Sequence, residues 1–153
     1  MGDYPGHHVR KIFDEQVSPV CSPKLLEGSI PLVKLEDLKS HRLLHVDWGS
    51  LTNQSPDWQM WALAAGLEDV SFSRGPRFTI ENMAIEAAIN ADGVALVSHA
   101  AVVEDLKAGR LVRPFNLTVR SDLAYWLVCP QEHLLKANVS TFCDWLLAKV
   151  GEQ

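Results

Sequence analysis

Two histidines, His41 and His45, are four residues apart, which is a spacing that can hold a metal ion. On a helix, this spacing brings two imidazoles to one face, where they can chelate zinc. The residues between them, Arg42, Leu43 and Leu44, favour a strand, in which the same spacing separates Cα atoms by roughly 13 Å. The sequence therefore predicts neither a metal site nor a bound cofactor.

Two acidic pairs, Glu36-Asp37 and Glu104-Asp105, have the side chains that general acid-base chemistry uses. Each pair lies in a predicted helix close to a lysine, so a solvated charged face is the favoured interpretation. The sequence contains no serine nucleophile elbow and no phosphate-binding loop. The chain is therefore not predicted to be an enzyme.

The composition is that of a globular α/β chain. The 153 residues are 47% hydrophobic and carry a formal charge of −5, which argues against an isolated nucleic-acid binder, because such a protein needs a clustered basic face. With no signal peptide and no membrane-length apolar run, we expect a cytoplasmic protein that has no membrane partner. Three cysteines without CxxC spacing are expected to be reduced and mostly buried: Cys21, Cys129 and Cys143.

Residues 75–115 predict a strand, an amphipathic helix, a buried strand and a second helix in immediate succession. The apolar residues of the first helix share one predicted face: Ile80, Met83, Ala84, Ala87, Ala88 and Ala91. Residues 94–97 are apolar throughout, as in a strand covered on both faces, and lead to Ser98, a good N-cap residue. Two helix N-termini, near Thr79 and Ser98, are thus expected where strands end, which is where open α/β sheets bind ligands.

Further elements are predicted on both sides of this segment. Strands are expected at residues 9–17, 43–46 and 122–129, and helices at residues 57–65 and 132–150, with a polar loop over residues 47–56. The last helix carries an apolar stripe of Leu135, Val139, Phe142, Leu146 and Val150.

These pieces together resemble the effector-binding domain of bacterial LysR-type transcriptional regulators, most closely the subgroup of glycine-cleavage and β-lactamase regulators. The resemblance is carried by Phe78-Thr79 entering an Ala-rich helix, by the run ADGVALVS, and by residues 104–112 with Pro114-Phe115. It continues through residues 2–6, 20–23, 35–45, 58–61 and 125–129.

The resemblance implies a periplasmic-binding-protein-like (type II) α/β fold. Residues 20–121 would form the complete second lobe of the effector domain. Residues 1–19 would be a remnant of the first lobe with the first crossover strand, and residues 122–153 the return crossover strand and the C-terminal helix. Most of the first lobe, against which that helix packs in the family, would be missing.

The family clamps a small effector between two lobes, and the matching strand-to-helix turn here is formed by Phe78, Thr79, Ile80 and Glu81. The Thr79 hydroxyl and the N–H groups of Ile80 and Glu81 are suited to hold a carboxylate or amide oxygen, although Thr79 can equally cap its own helix.

Three further residues are candidates for the effector site, each with an alternative role. Ser98 and His99 are the second choice, with capping the favoured role of Ser98. Tyr125 can border the cleft or pack in the core, and Trp48 can lie at the rim or simply pack on the surface.

The resemblance implies an effector-binding fragment of a transcriptional regulator. DNA would be bound only through a helix-turn-helix domain outside this chain, and the partners would be a small effector, which can bear a carboxylate, and a second copy or another regulator subunit. The alternative is a stand-alone protein that pairs with regulator subunits or binds a small solute. Because the stripe of the last helix would be uncovered, we expect the chain to dimerise or to bury that helix in another way.

Overall fold

The computed structural model describes residues 4–49, 56–67, 72 and 74–151, so most of the predicted polar loop, residues 50–55, lies outside the described residues. The strands are β1 His7–Val20, β2 Leu43–Val46, β3 Arg77–Phe78, β4 Val94–Ser98 and β5 Val119–Pro130. The α-helices are α1 Lys24–Glu27, α2 Trp58–Ala64, α3 Glu81–Ile89, α4 His99–Lys107 and α5 Ala137–Gly151. Two 3₁₀ helices cover Leu35–Ser40 and Gln131–Leu135.

The described strands form one mixed sheet in the order β3-β2-β4-β1-β5. Strand β2 runs parallel to both β3 and β4, whereas β1 runs antiparallel to β4. Parallel neighbours end at the same edge of a sheet, so the residues that follow β2 and β3 meet there.

Contacts divide the chain into two compact units, residues 16–121 and residues 1–15 with 122–153. The core of the larger unit lies on both faces of β4. Val94 and Leu96 pack in a cluster with Trp58 and Trp61. The alternate residues Ala95 and Val97 point to the other face of the sheet and pack in a second cluster with residues of α3 and α4. All five residues of β4 are buried, as the apolar run predicts for a strand covered on both faces.

The buried face of helix α3 only partly matches the predicted one, since Ala84 and Ala88 belong to both. Its buried residues are Ala84, Ile85 and Ala88, whereas Ile80 and Met83 are 57% and 56% exposed. The helix begins only at Glu81, and its packing against β2 and β4 turns Ile85 inward in place of Met83. The expectation for Met83 and Ile80 was therefore wrong.

The predicted single helix over residues 132–150 is interrupted at Lys136, whose backbone is extended between the second 3₁₀ helix and α5. Leu135 thus lies outside α5 and is 89% exposed, so it does not continue the predicted stripe. On α5 itself, Phe142 is 53% exposed and Cys143 is buried. The stripe expected from helical periodicity is only partly covered.

Candidate functional site

A pocket of about 380 Å³ lies at the edge of the sheet where β2 and β3 end. Its described lining consists of Val46, Asp47, Trp48, Gly49, Thr79 and Glu81. The first four residues end or follow β2, and the last two follow β3, so the pocket has two walls that the parallel pairing brings together. Its volume is in the range of pockets that hold small molecules.

Backbone hydrogen bonds join the two walls directly beneath the pocket. The N–H of Asp47 donates to the carbonyl of Phe78 at 2.8 Å, and the N–H of His45 donates to the carbonyl of Pro76 at 3.0 Å. Phe78 is partly buried and packs against the core cluster that contains Ala84. The residue that precedes Thr79 is therefore fixed, and the two walls cannot separate without breaking the sheet.

The wall that follows β2 folds back on itself. Asp47 Oδ1 accepts a hydrogen bond of 2.9 Å from the N–H of Gly49, and Gly49 has a positive φ of 61°, which glycine adopts at little cost. Asp47 lines the pocket from this turn, and Trp48 is half-buried in the same wall. Trp48 therefore lies in the lining of this pocket.

Thr79 is exposed and lines the other wall. The N-cap of α3 is Ile80, and no side chain makes a capping hydrogen bond there. Thr79 therefore does not cap the helix in this structure. Thr79 and Glu81, the first residue of α3, line the same pocket, and the N–H groups of a first helical turn lack intrahelical acceptors.

Glu81 links α3 to the end of β4. Its Oε1 accepts a 2.7 Å hydrogen bond from the N–H of Ser98. Ser98 occupies the N-cap of α4 as expected, but its hydroxyl makes no capping bond and has no partner among the described residues. The Ser98 hydroxyl does not cap α4 because Ser98 is also the last residue of β4, where its side chain is fully buried.

The remaining predicted residues do not line the pocket. His99 is half-buried, and its Nδ1 has no hydrogen-bond partner within the described chain. Ile80 is largely exposed. Tyr125 belongs to the smaller unit, where its ring centroid lies 4.6 Å from that of Phe13. Of the seven predicted effector-binding residues, Thr79 and Glu81 are the two in the pocket lining.

The segment that leads into β3 is held by His45. The buried imidazole has its Nε2 atom 3.2 Å from the carbonyl oxygen of Arg74, to which the neutral ring can donate. Burial is the main cause that lowers the pKa of His45 below its ordinary value, with the nearby Arg77 charge acting in the same direction. Gly75 lies so close to β2 that an added Cβ would be 1.9 Å from the Leu43 carbonyl oxygen.

Sequence reasoning missed Val46, Asp47 and Gly49 as lining residues. The available signal was their position, because they end or follow the predicted strand at residues 43–46 as Thr79 follows the next parallel strand. Within the described ranges, no group of histidine, cysteine and acidic side chains is placed to hold a metal ion. None of the described helices is long and apolar enough to span a membrane.

A mixed α/β sheet with a small-molecule-sized pocket at the ends of parallel strands is typical of small-molecule-binding modules. The LysR substrate binding domain family matches residues 2–151. The chain therefore belongs to the LysR substrate-binding domain family.

Individual relatives are transcriptional activators. The chain is 38% identical over 152 residues to the glycine cleavage system transcriptional activator of Escherichia coli strain K12, a match that covers 99% of this chain and 48% of the relative. It is 32% identical over 139 residues to the HTH-type transcriptional activator AmpR of Providencia stuartii, covering 91% of this chain and 44% of that protein. The chain thus spans about half the length of these relatives.

Solved structures show the same fold. The effector domain of AmpR from Pseudomonas aeruginosa matches with a TM-score of 0.72 and 26% identity, covering 98% of this chain and 68% of that chain. The AmpR effector binding domain from Citrobacter freundii matches with a TM-score of 0.74 and 21% identity, covering 99% of this chain and 72% of that chain. The fold is therefore that of LysR effector-binding domains, which is periplasmic-binding-protein-like of type II.

Proposed function

We propose that this chain is the effector-sensing part of a bacterial LysR-type transcriptional regulator and that the pocket beside Thr79 binds the effector. The observation that carries the proposal is the convergence of Asp47, Thr79 and Glu81 on one pocket at the ends of two parallel strands. Binding sites of open α/β sheets occur at such strand ends. The family and the activators it contains support the regulatory role.

The lining favours an effector with both an acceptor and a donor group. The Thr79 hydroxyl and the positive end of the α3 dipole suit a carboxylate or amide oxygen. The opposite wall presents the Asp47 carboxylate, and the described lining contains no basic side chain. A ligand with a carboxylate alone would bring a like charge close to that acid, so an amino acid or a similarly small amphoteric molecule, whose ammonium group can face Asp47, fits the pocket better.

In this proposal the chain is a sensor and not an enzyme, and it acts in the cytoplasm. DNA contacts belong to a helix-turn-helix domain of the regulator, and pairing of subunits transmits the bound state. Residues 20–121 would act as the second effector lobe. Of the candidate residues outside the pocket lining, Ile80, Phe78, Ser98 and His99 would shape the site or its surroundings, whereas Tyr125 belongs to the smaller unit.

Calorimetric titration with the free amino acids tests the proposal. The substitution Thr79→Val keeps the size of the side chain and removes one hydrogen bond to a charged ligand group, which costs about 1.5–3 kcal/mol, or roughly 10–100-fold in affinity. The matched control is Thr141→Val, the same change at an exposed position of α5. Equal affinity in both variants would remove Thr79 from the site.

The alternative function, a stand-alone protein that pairs with regulator subunits, is favoured by one observation. The end of the chain exposes the large apolar side chains of Leu135, Phe142 and Trp145, of which Leu135 is 89% exposed. Such exposure favours association with another chain. Amino-acid titration together with sedimentation of this chain mixed with an intact LysR-type regulator distinguishes the two functions. Amino-acid binding at the pocket supports the first, whereas a mixed complex with no amino-acid binding supports the second.

A further inference from the structure

His45 holds the segment that leads into β3, although it does not line the pocket itself. Its Nε2 atom lies 3.2 Å from the carbonyl oxygen of Arg74, and its backbone N–H donates to the carbonyl of Pro76 at 3.0 Å. Between these two acceptors, Gly75 passes so close that an added Cβ would lie 3.3 Å from Cδ2 of the imidazole. One residue of β2 therefore contacts the whole of residues 74–76 through its side chain and its backbone.

Thr79 depends on this segment for its position, because β3 has few other anchors. Strand β3 is two residues long and lies at the end of the sheet order, so β2 is its only neighbour among the described strands. The next backbone bond along the pair, from the N–H of Asp47 to the carbonyl of Phe78, lies directly before Thr79. The bonds of His45 therefore belong to the small set that positions Thr79 in the pocket wall.

The surroundings of the imidazole favour its neutral form. His45 is 7% exposed, and its register partner on β3 is the cationic Arg77. Burial is the main cause that lowers the pKa of His45. The ring therefore carries one proton at neutral pH, which it can donate from Nε2 to the Arg74 carbonyl. Asp57, at the N-cap of α2, is an acid whose charge acts in the opposite direction.

The other elements around β2 bring few charges to this ring. His45 faces the side of the sheet where α2 packs, since its alternate residue Leu43 belongs to the cluster with Trp58. Helix α3, with its two acidic residues, packs on the opposite side, and β4 has no titratable side chain. Asp47 follows two residues later on the chain of β2 itself, and the side chain of Arg74 is exposed.

We propose that His45 is the positioning residue of the pocket: the neutral imidazole holds residues 74–76, and with them Thr79, in the binding arrangement, and protonation releases them. This inference rests on the proposed function of the pocket. A second proton gives the ring a charge that burial and Arg77 disfavour, so the charged ring turns towards solvent and the Arg74 carbonyl loses its donor. Effector binding favours the neutral ring, so affinity is full above the folded pKa of His45 and falls as the pH drops through it.

The first test needs no ligand. In the ¹⁵N-labelled chain, the amide signals of Phe78 and Thr79 should shift between about pH 7.5 and about pH 5 with the same midpoint as the ring signals of His45. In His45→Gln, whose amide keeps a donor for the Arg74 carbonyl, this shift should vanish. His7→Gln, at an exposed imidazole, should leave it unchanged. A shift that persists in His45→Gln, or amide signals that do not follow the ring, would overturn the proposal.

The second test measures affinity. Calorimetric titration of the native chain with the free amino acids should show binding that is roughly three- to tenfold weaker at the lower pH, since one proton changes an affinity by at most about tenfold per pH unit. The affinity of His45→Gln should be the same at both pH values, and an equal pH dependence in the two chains would overturn the proposal. If no amino acid binds at either pH, the proposed function fails, and the ligand-free shifts still decide whether His45 positions Thr79. If His45→Gln does not fold, the midpoints in the native chain decide.

Discussion

The backbone N–H of Ser98 donates a 2.7 Å hydrogen bond to Oε1 of Glu81, so the first residue of α3 and the last residue of β4 are joined directly. Ser98 is fully buried, so water cannot replace this acceptor. Glu81 also lines the pocket with Thr79. One carboxylate therefore holds the helix that supplies one wall of the candidate site.

Replacing Glu81 with Ala should destabilise the fold. The change leaves a buried N–H without its charged acceptor, and we expect the free energy of unfolding to fall by about 1–3 kcal/mol. Urea denaturation measures it. The control is Glu86→Ala, which removes the same side chain from an exposed position of the same helix. Equal losses in both variants would show that the bond to Ser98 contributes nothing.

Replacing Gly75 with Ala should be strongly destabilising. The new Cβ would lie 1.9 Å from the backbone oxygen of Leu43, and Gly75 has a φ of 138°, which other residues rarely adopt. We expect a loss of about 3 kcal/mol or more, with reduced ligand affinity because β3 positions Thr79.

The matched control for the Gly75→Ala variant is Gly109→Ala. Gly109 has a φ of 69° but nothing within 4 Å of an added Cβ, so only the backbone cost of about 1–2 kcal/mol remains. Chemical denaturation of the two variants compares the steric cost with the conformational one. A Gly75 variant as stable as the Gly109 variant would contradict the close approach to β2.

His45 should make stability depend on pH. Its pKa is lowered in the folded state, mainly by burial, from the ordinary value of 6.5 that it regains on unfolding. The unfolded chain therefore binds the proton more tightly, and stability is present above this ordinary value and is lost as the pH falls through it towards the folded pKa. The hydrogen bond to the Arg74 carbonyl opposes this lowering of the pKa, the Arg77 charge strengthens it, and Asp57 opposes it to a smaller extent.

Unfolding in urea at about pH 7.5 and about pH 5.5, on either side of the imidazole's ordinary range, measures this loss. His45→Gln keeps a donor for the Arg74 carbonyl and should reduce the difference between the two pH values. His7→Gln, at an exposed imidazole, should not. An unchanged difference in the His45 variant would assign the pH dependence to other groups.

The exposed apolar residues of α5 should cause self-association. Phe142 and Trp145 are 53% and 54% exposed and lie in contact on one face. We expect a concentration-dependent rise in mass by light scattering at micromolar concentrations, and Phe142→Glu should weaken it about tenfold or more. Leu63→Glu, at a 78% exposed position of the larger unit, is the control. A mass that stays monomeric at every concentration would contradict this expectation.

The best-predicted part of the fold is the pair β4 and α4. A run of five buried residues ends at Ser98, and the helix His99–Lys107 begins directly after this expected N-cap residue. The local sequence pattern is enough to predict this strand, because a strand that is buried on both faces has an unbroken run of apolar residues. The break at Lys136 was not predictable in this way, since apolar periodicity continues across it and only its extended backbone interrupts the helix.

Only some of the residues that line the pocket could be named from the sequence. Thr79 was named because a helix N-terminus was expected after a predicted strand, and Glu81 because the resemblance points to the turn formed by residues 78–81. Asp47 and Gly49 were missed because their role depends on β2 and β3 being parallel neighbours, which is a pairing between distant parts of the chain. The choice of Glu81 as acceptor for the Ser98 N–H likewise depends on packing that periodicity does not contain.

Amide chemical shifts of the ¹⁵N-labelled chain, recorded during titration with the free amino acids, test the central claim most directly. The proposed function predicts that a bound amino acid moves the signals of Gly49, Thr79 and Glu81, which line the pocket, and that Thr79→Val suppresses these movements. It would be contradicted if no amino acid moved these three signals, or if the largest movements lay elsewhere in the chain and persisted unchanged in the Thr79→Val variant.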